Sequence, residues 1–164
     1  MTYRLPKDWK PKWAATLVYI LRGDEVLLID KLRGHGEGKV NVPGGKIESE
    51  TPEEGAIREV KEEVGLVVED LNLVAKLRFH DFETDYRVLG YVFTTSQFSG
   101  DPRTTDEANP FWCPRQKIPY ERMWEDDRLW LPVVLAGQYS DADLLFENDV
   151  LVAHEIKISE FALP

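Results

Sequence analysis

The stretch GGKIESETPEEGAIREVKEEVGL, Gly44 to Leu66, decides how this chain folds. Thr51 can accept a hydrogen bond from the backbone three residues on, Pro52 fits the first helical position, and Glu54 completes a Thr-x-x-Glu capping box. Gly65 supplies the left-handed residue that ends helices. At about 100° per residue, Ala56, Ile57, Val60 and Val64 share one stripe of this helix, while Glu59, Glu62 and Glu63 gather on the neighbouring one. One face is built for a core and the other is all carboxylate. Like charges at i,i+3 and i,i+4 each destabilise a helix by roughly 0.2–0.5 kcal/mol, and Arg58 and Lys61 relieve this only in part. Acidic runs most often just face water. Three carboxylates on one face are also hard oxygen ligands suited to Mg²⁺ or Mn²⁺, and Gly44-Gly45 can bring bare backbone close to them.

Apolar, β-rich runs lie on both sides of this helix. Ala14 to Leu21 and Glu25 to Lys31, separated by Gly23 and Asp24, read as a hairpin. Leu71 to Phe79 and Arg87 to Thr95 read as a second strand pair, and Asp143 to Ile158 as a third that turns near Asn148. Pro119 to Gln138 reads as a loop leading into a short helix closed by Gly137. Strands flanking one long helix, with a second helix later, imply an α/β fold: a mixed sheet between helices, an α/β/α sandwich.

At 164 residues with 43% hydrophobic side chains, the chain is long enough for one domain with its own core, expected to span 1–164. Its net charge of −10 would repel a phosphate polymer, which argues against a nucleic-acid partner. A small phosphorylated ligand is compatible, because a divalent ion can bridge carboxylates and phosphates. Cys113 is the only cysteine, so no internal disulfide is possible; it follows Phe-Trp in a short strand and reads as a small buried hydrophobe. The opening MTYRLPKDWKPKW has no apolar h-region, and no run reaches the roughly 18 apolar residues of a membrane span, so the cytoplasm is the expected location.

Gly44, Glu50 and Arg58-Glu59-Val60-Lys61-Glu62-Glu63-Val64-Gly65-Leu66 together resemble the box of the Nudix hydrolases, G-x5-E-x7-R-E-U-x-E-E-x-G-U with U aliphatic. GGKIESE is one residue shorter than the segment common before that helix, so Gly44 stands where the second glycine usually does. The resemblance implies a Mg²⁺-dependent enzyme that hydrolyses nucleoside diphosphates linked to another moiety. It implies metal ligation by Gly44 (through its carbonyl), Glu59, Glu62 and Glu63, a general base in Glu59 or Glu62, and a structural role for Arg58. It also implies a monomer acting on a small-molecule nucleotide, away from membranes.

The flanking segments DKLRGHGEGK, KVNVPGGKIE, DEANPFWC and IPYERMWEDDRLWLP are similar to the MutT-homologue branch, which hydrolyses oxidised purine nucleoside triphosphates such as 8-oxo-dGTP and 2-hydroxy-dATP. By matched position, Asn41, Asp126 and Asp127 would read the base edge, Trp124 would stack on the purine, and Thr16, Lys31 and Phe79 would lie along the pocket. Glu107 would add a carboxylate on the metal side. The chemistry is coherent, since an aromatic face binds any purine while hydrogen bonds choose among them. Two adjacent carboxyls can also share a proton, so that one becomes a donor. Plainer readings exist for each: a core tryptophan, a solvated or capping Glu-Asp-Asp turn, an asparagine serving backbone groups. His35 stands where the branch often carries an aromatic or apolar base-lining residue, and with His80 and His154 it shows no zinc-ligand spacing. Two alternatives remain open from the sequence: the same chemistry on a nucleotide sugar or dinucleoside polyphosphate, and a nucleotide-sensing module without catalysis.

Overall fold

The computed structural model of the chain describes residues 3–160. The β-rich runs become β1 (Trp13–Arg22) and β2 (Glu25–Lys31), followed by two short strands, β3 (Val40–Asn41) and β4 (Gly44–Lys46), and by helix α1 (Pro52–Val64). Next come β5 (Val67–Glu69), β6 (Asn72–Asp81), β7 (Arg87–Thr95), β8 (Gln97–Ser99) and β9 (Ala108–Pro114). Two 3₁₀ turns lead to α2 (Asp127–Leu135), and the antiparallel pair β10 (Tyr139–Glu147) and β11 (Val150–Ser159) closes the order. Met1, Thr2 and residues 161–164 lie outside the described residues, and with them the ends of the expected 1–164 domain.

The main sheet runs β11-β10-β6-β7-β1-β2-β3, with β4 on β1 and β9 on β2. It is mixed: β1 runs parallel to β7 and β6 parallel to β10, while the other pairs are antiparallel. β1 and β2 pair only at Leu21–Val26 and Arg22–Glu25, beside the turn where Gly23 takes φ 58°. Beyond that point they separate. β1 continues between β7 and β4, and β2 between β9 and β3. This fork opens the sheet where the polar side chains collect.

Strand alternation divides the core between the two faces. Tyr19, Val26, Leu28, Leu77, Val92 and Leu144 pack on one side with Trp130, Leu131 and Val134 of α2. Val18, Ile20, Leu27, Ile29 and Phe93 pack on the other with Ala56, Val60 and Val64 of α1. The expected α/β sandwich is therefore the observed one, with one helix on each face.

Both ends of α1 form as the sequence implies. Thr51 Oγ1 accepts from the Glu54 amide at 3.2 Å, the Glu54 carboxylate accepts from the Thr51 amide at 3.3 Å, and Gly65 takes φ 81°. Its stripe differs by one residue from the expectation: Ile57 is exposed, while Glu63 is buried alongside Ala56, Val60 and Val64. The buried arc is centred on positions 56, 60, 63 and 64, which leaves Ile57 rotated out toward solvent.

Candidate active site

The helix carboxylates meet the glycine strand. β4 pairs with β1 through Thr16–Gly45 and Leu17–Gly44, so the two glycines lie flat against β1. A Cβ on Gly44 would overlap the Thr16 carbonyl, and one on Gly45 would overlap the Glu59 carboxylate. Only bare backbone lets the helix approach this closely. Glu63, 1% exposed, accepts from the Gly44 amide through Oε2 at 3.3 Å, while its buried Oε1 has no hydrogen-bond partner among the described residues. Burial pushes its carboxyl up to about 7, with Lys31 and the Gly44 amide pulling the other way. Burial raises Glu59 as well, opposed by Arg58.

Arg58 gathers the remaining acids. Its guanidinium donates to Glu50 at 2.7 Å, Glu59 at 2.9 Å, Glu62 at 3.3 Å and the Lys46 carbonyl at 3.1 Å. That is the expected structural role, and it also draws Glu62 outward, where its side chain is 58% exposed. Glu107 pairs with Arg33 at 3.1 Å near the rim and bears electrostatically on both Glu59 and Glu63. Among the described residues, no three His, Cys, Asp or Glu side chains converge tightly enough to form a finished metal cage. A divalent ion nevertheless fits the donor set: a buried, unpartnered carboxylate oxygen on Glu63, a second half-buried carboxylate on Glu59, and glycine backbone between them.

On the other side of β1 lies a cavity of about 110 Å³. Ala15 and Gly90, paired across β1 and β7, belong to its lining, and their small size makes the room. A Cβ on Gly90 would come within 3.0 Å of Phe79. Asn41, Phe79, Trp124, Asp126 and Asp127 all line it, as the sequence leads one to expect. Asn41 spends its carbonyl oxygen on the Val42 amide at 2.9 Å. Asp126 stands just before α2 without a side-chain capping bond; Oδ2 accepts from Trp130 Nε1 at 2.8 Å, and Oδ1 is buried with no partner among the described residues. Asp127 Oδ2 is likewise buried and unpartnered among the described residues. Burial raises both carboxyls, and the Asp126 charge raises Asp127 further. Glu125 is the solvated turn residue of the plain reading, but for the buried Asp126 and Asp127 a solvated turn or a side-chain cap does not survive this geometry.

Two residues expected along the pocket lie elsewhere. Thr16 is fully buried, but strand alternation turns its hydroxyl to the α1 side, where it sits 3.4 Å from both the Gly45 amide and its carbonyl; Ala15 and Leu17 line the cavity instead. Lys31 ends β2 between the two regions and is not part of the lining, though its charge reaches both Glu63 and His35. Sequence reasoning missed the walls supplied by turns. Tyr86 and Asp149 line the cavity, as does Asp81, which is 2% exposed and accepts backbone hydrogen bonds from Glu83, Thr84, Asn148 and Asp149. An Asp followed by turn residues was the available signal for Asp81. His35 lines the cavity too, whereas His80 is buried and accepts from Trp9 Nε1 at 3.2 Å, and His154 is exposed.

The NUDIX domain family model matches residues 10–134 of this chain. An oxidized purine nucleoside triphosphate hydrolase of Danio rerio is 36% identical over 143 residues, covering 86% of this chain and 92% of its own length. The protein of that name in Mus musculus is 33% identical over 144 residues, covering 87% and 92%. In three dimensions, the crystal structure of the mutator MutT protein of Bacillus halodurans superposes with a TM-score of 0.79 at 21% identity, over 88% of this chain and 97% of its own.

Proposed function

The chain belongs to the NUDIX family, and on that premise we propose that it is a Mg²⁺-dependent hydrolase of oxidised purine nucleoside triphosphates, 8-oxo-dGTP and 2-hydroxy-dATP among them, releasing the monophosphate and pyrophosphate. The observation that carries this reading is the pair of carboxylate oxygens, Asp126 Oδ1 and Asp127 Oδ2, unpartnered among the described residues, in a cavity also lined by Trp124. Such groups are costly to bury unless a ligand completes them. A base with both donors and acceptors on its edge does so, and the raised carboxyls let the pair offer a proton as well as accept one. Trp124 supplies the stacking face and Asn41, whose Oδ1 already accepts from Val42, its amide nitrogen.

Gly44, Glu59, Glu62, Glu63 and Glu107 are the residues that would hold the metal, with Mn²⁺ as a substitute. When bound, a divalent ion neutralises diphosphate charge and acidifies water. Glu59 or Glu62 accepts the proton of the attacking water, and Arg58 keeps both within reach of one another. The Glu63–Gly44 hydrogen bond fixes the helix against the glycine strand, and so fixes the distance between the carboxylates and the base cavity across β1. The reading includes a single-domain monomer acting on a cytoplasmic nucleotide pool; among the described residues, no helix is long and apolar enough to cross a membrane.

The test is a panel of 8-oxo-dGTP, 2-hydroxy-dATP, dGTP, dATP, ADP-ribose and a dinucleoside polyphosphate, each with Mg²⁺ and with product identification. Monophosphate plus pyrophosphate, fastest from the oxidised purines, is the expected result. Turnover of ADP-ribose or the dinucleotide alone would remove the base-reading role, and no turnover at all would favour a sensing module. In the same panel, Asp126→Asn and Asp127→Asn should alter the ranking of purines far more than the rate of diphosphate cleavage.

A further inference from the structure

Trp124 does not present a free face. The His35 ring lies 4.9 Å from it, centroid to centroid, at 13° between planes, and the Tyr86 ring lies 4.5 Å from His35 at 14°. Three rings therefore form one stack, with the imidazole in the middle. All three line the cavity that also holds Asn41, Asp126 and Asp127. Tyr86 and Trp124 are held apart by the thickness of one aromatic ring, which is the thickness of a purine.

We propose that His35 is a self-occupant of the base slot: a purine enters by displacing the imidazole from between Tyr86 and Trp124, so that Tyr86 becomes the second stacking wall and His35 the specificity-determining gate. This rests on the reading of the ligand as a purine nucleotide. His35 is carried by the segment between β2 and β3, flanked by Gly34 and Gly36, both at φ 85°. Such positions allow a backbone swing that other residues resist. Gly36 touches the slot as well, since a Cβ there would come within 3.0 Å of Trp124 Nε1. Burial lowers the His35 pKa, so the ring stacks as a neutral heteroaromatic, as a base would. Tyr86 is set in place from its other side by Trp13, whose ring meets it edge-on at 5.6 Å. A gate of this kind discriminates by competition, because a base must stack better than the imidazole it replaces.

The experiment is calorimetric binding of 8-oxo-dGMP to the full chain and to His35→Ala, Tyr86→Leu and Tyr86→Phe, with the His35 ring protons followed by NMR. Free protein should show those protons shifted upfield by the two flanking rings, and saturating nucleotide should return them toward ordinary positions. His35→Ala should tighten binding about threefold to tenfold, Tyr86→Leu should weaken it about tenfold, and Tyr86→Phe should stay within about twofold. A His35→Ala variant that binds more weakly than the parent, or ring protons that stay shifted in the complex, would show His35 to be a fixed wall and overturn the gate. Unchanged affinity in Tyr86→Leu would remove the second wall. If the parent chain turns over oxidised purine triphosphates and these results fail, the gate alone is wrong; if the parent neither binds nor turns over a purine nucleotide, the underlying reading fails with it.

Discussion

Asp81→Asn tests how the cavity is held open. Asp81 ends β6 and reaches two turns at once: Oδ1 accepts from the amides of Glu83 at 2.9 Å, Thr84 at 3.0 Å and Asn148 at 3.0 Å, and Oδ2 accepts from Asp149 at 2.8 Å. Asn148 and Asp149 both sit at positive φ, 51° and 67°, a conformation non-glycine residues adopt reluctantly. The carboxylate is what holds them there. Burial by itself would raise this carboxyl, but the amides of Asp149, Thr84, Glu83 and Asn148 more than offset it and bring it from 3.8 to about 2. At about 1.36 kcal/mol per pKa unit, that difference corresponds to roughly 2–3 kcal/mol favouring the charged, folded form. Asparagine removes the charge and turns an NH₂ toward at least one of the four donors, so a loss of about 2–4 kcal/mol is expected.

For a chain of this size each kcal/mol moves the melting temperature by about 2–4 °C, so Asp81→Asn should melt roughly 5–12 °C below the parent at pH 7. Its folded pKa lies below its unfolded one. The stabilisation is therefore complete above about pH 4 and drains away as pH falls toward 2, and the gap between parent and variant should close over that range. Thermal unfolding followed by circular dichroism at pH 7, 4 and 3 reads both effects. A variant within about 1 °C of the parent at pH 7, or a gap that widens on acidification, would refute the role given to this carboxylate.

Gly45→Ala should cost about 1–3 kcal/mol and most of the turnover, because the new methyl displaces the Glu59 carboxylate; a variant with parental kcat would show that contact to be yielding. Glu63→Gln should lose at least about 100-fold in turnover. In metal-free protein the same variant should melt at or above the parent at pH 8, since the raised Glu63 pKa stabilises the fold fully below about pH 4.5 and that contribution is lost as pH rises through about 7. Scanning the parent and Glu63→Gln at pH 5 and pH 8 checks the sign. Trp124→Ala should raise KM by about tenfold or more with a smaller change in kcat, read from initial rates on an oxidised purine triphosphate. Chelation should abolish turnover, and added Mg²⁺ should restore it.

What could be read from the sequence was what local signals encode. The capping box, the proline and the closing glycine of α1 all act within one turn of the residues that carry them, and each appears where the sequence puts it. The strands of the main sheet were legible by their apolar runs, and the short strand read around Phe111-Trp112-Cys113 is β9, whose ends were blurred by Pro110 and Pro114, residues that usually interrupt ladders. Carboxylate spacing on the helix was legible, but not the burial of Glu63, which depends on β4 docking from 19 residues away. Asp126 and Asp127 read locally as a cap, and only the packing of α2 onto the sheet makes them cavity residues. Tyr86 and Asp149 sit in turns whose composition says loop and nothing more.

The position of Thr16 explains why one strand can serve two chemistries. Along β1, Ala15 and Leu17 face the base cavity, while Thr16 and Val18 face α1 and the glycine strand. A period of two therefore puts the cavity proposed for the base and the carboxylate face on opposite sides of a single backbone, only one strand's thickness apart. The register of β4 on β1 sets their relative position: Gly44, which carries Glu63, lies opposite Leu17, and Gly45, which bounds Glu59, lies opposite Thr16. A one-residue slip of β1 itself would exchange its two faces and turn the threonine hydroxyl toward the cavity. Thr16 is hydrogen-bonded to Gly45 in this register, and on the proposed reading it holds register and does not touch the nucleotide. Thr16→Val should then reduce kcat by misplacing the carboxylates while leaving the affinity for 8-oxo-dGMP within about twofold. A variant that lost nucleotide affinity with kcat intact would return Thr16 to the pocket.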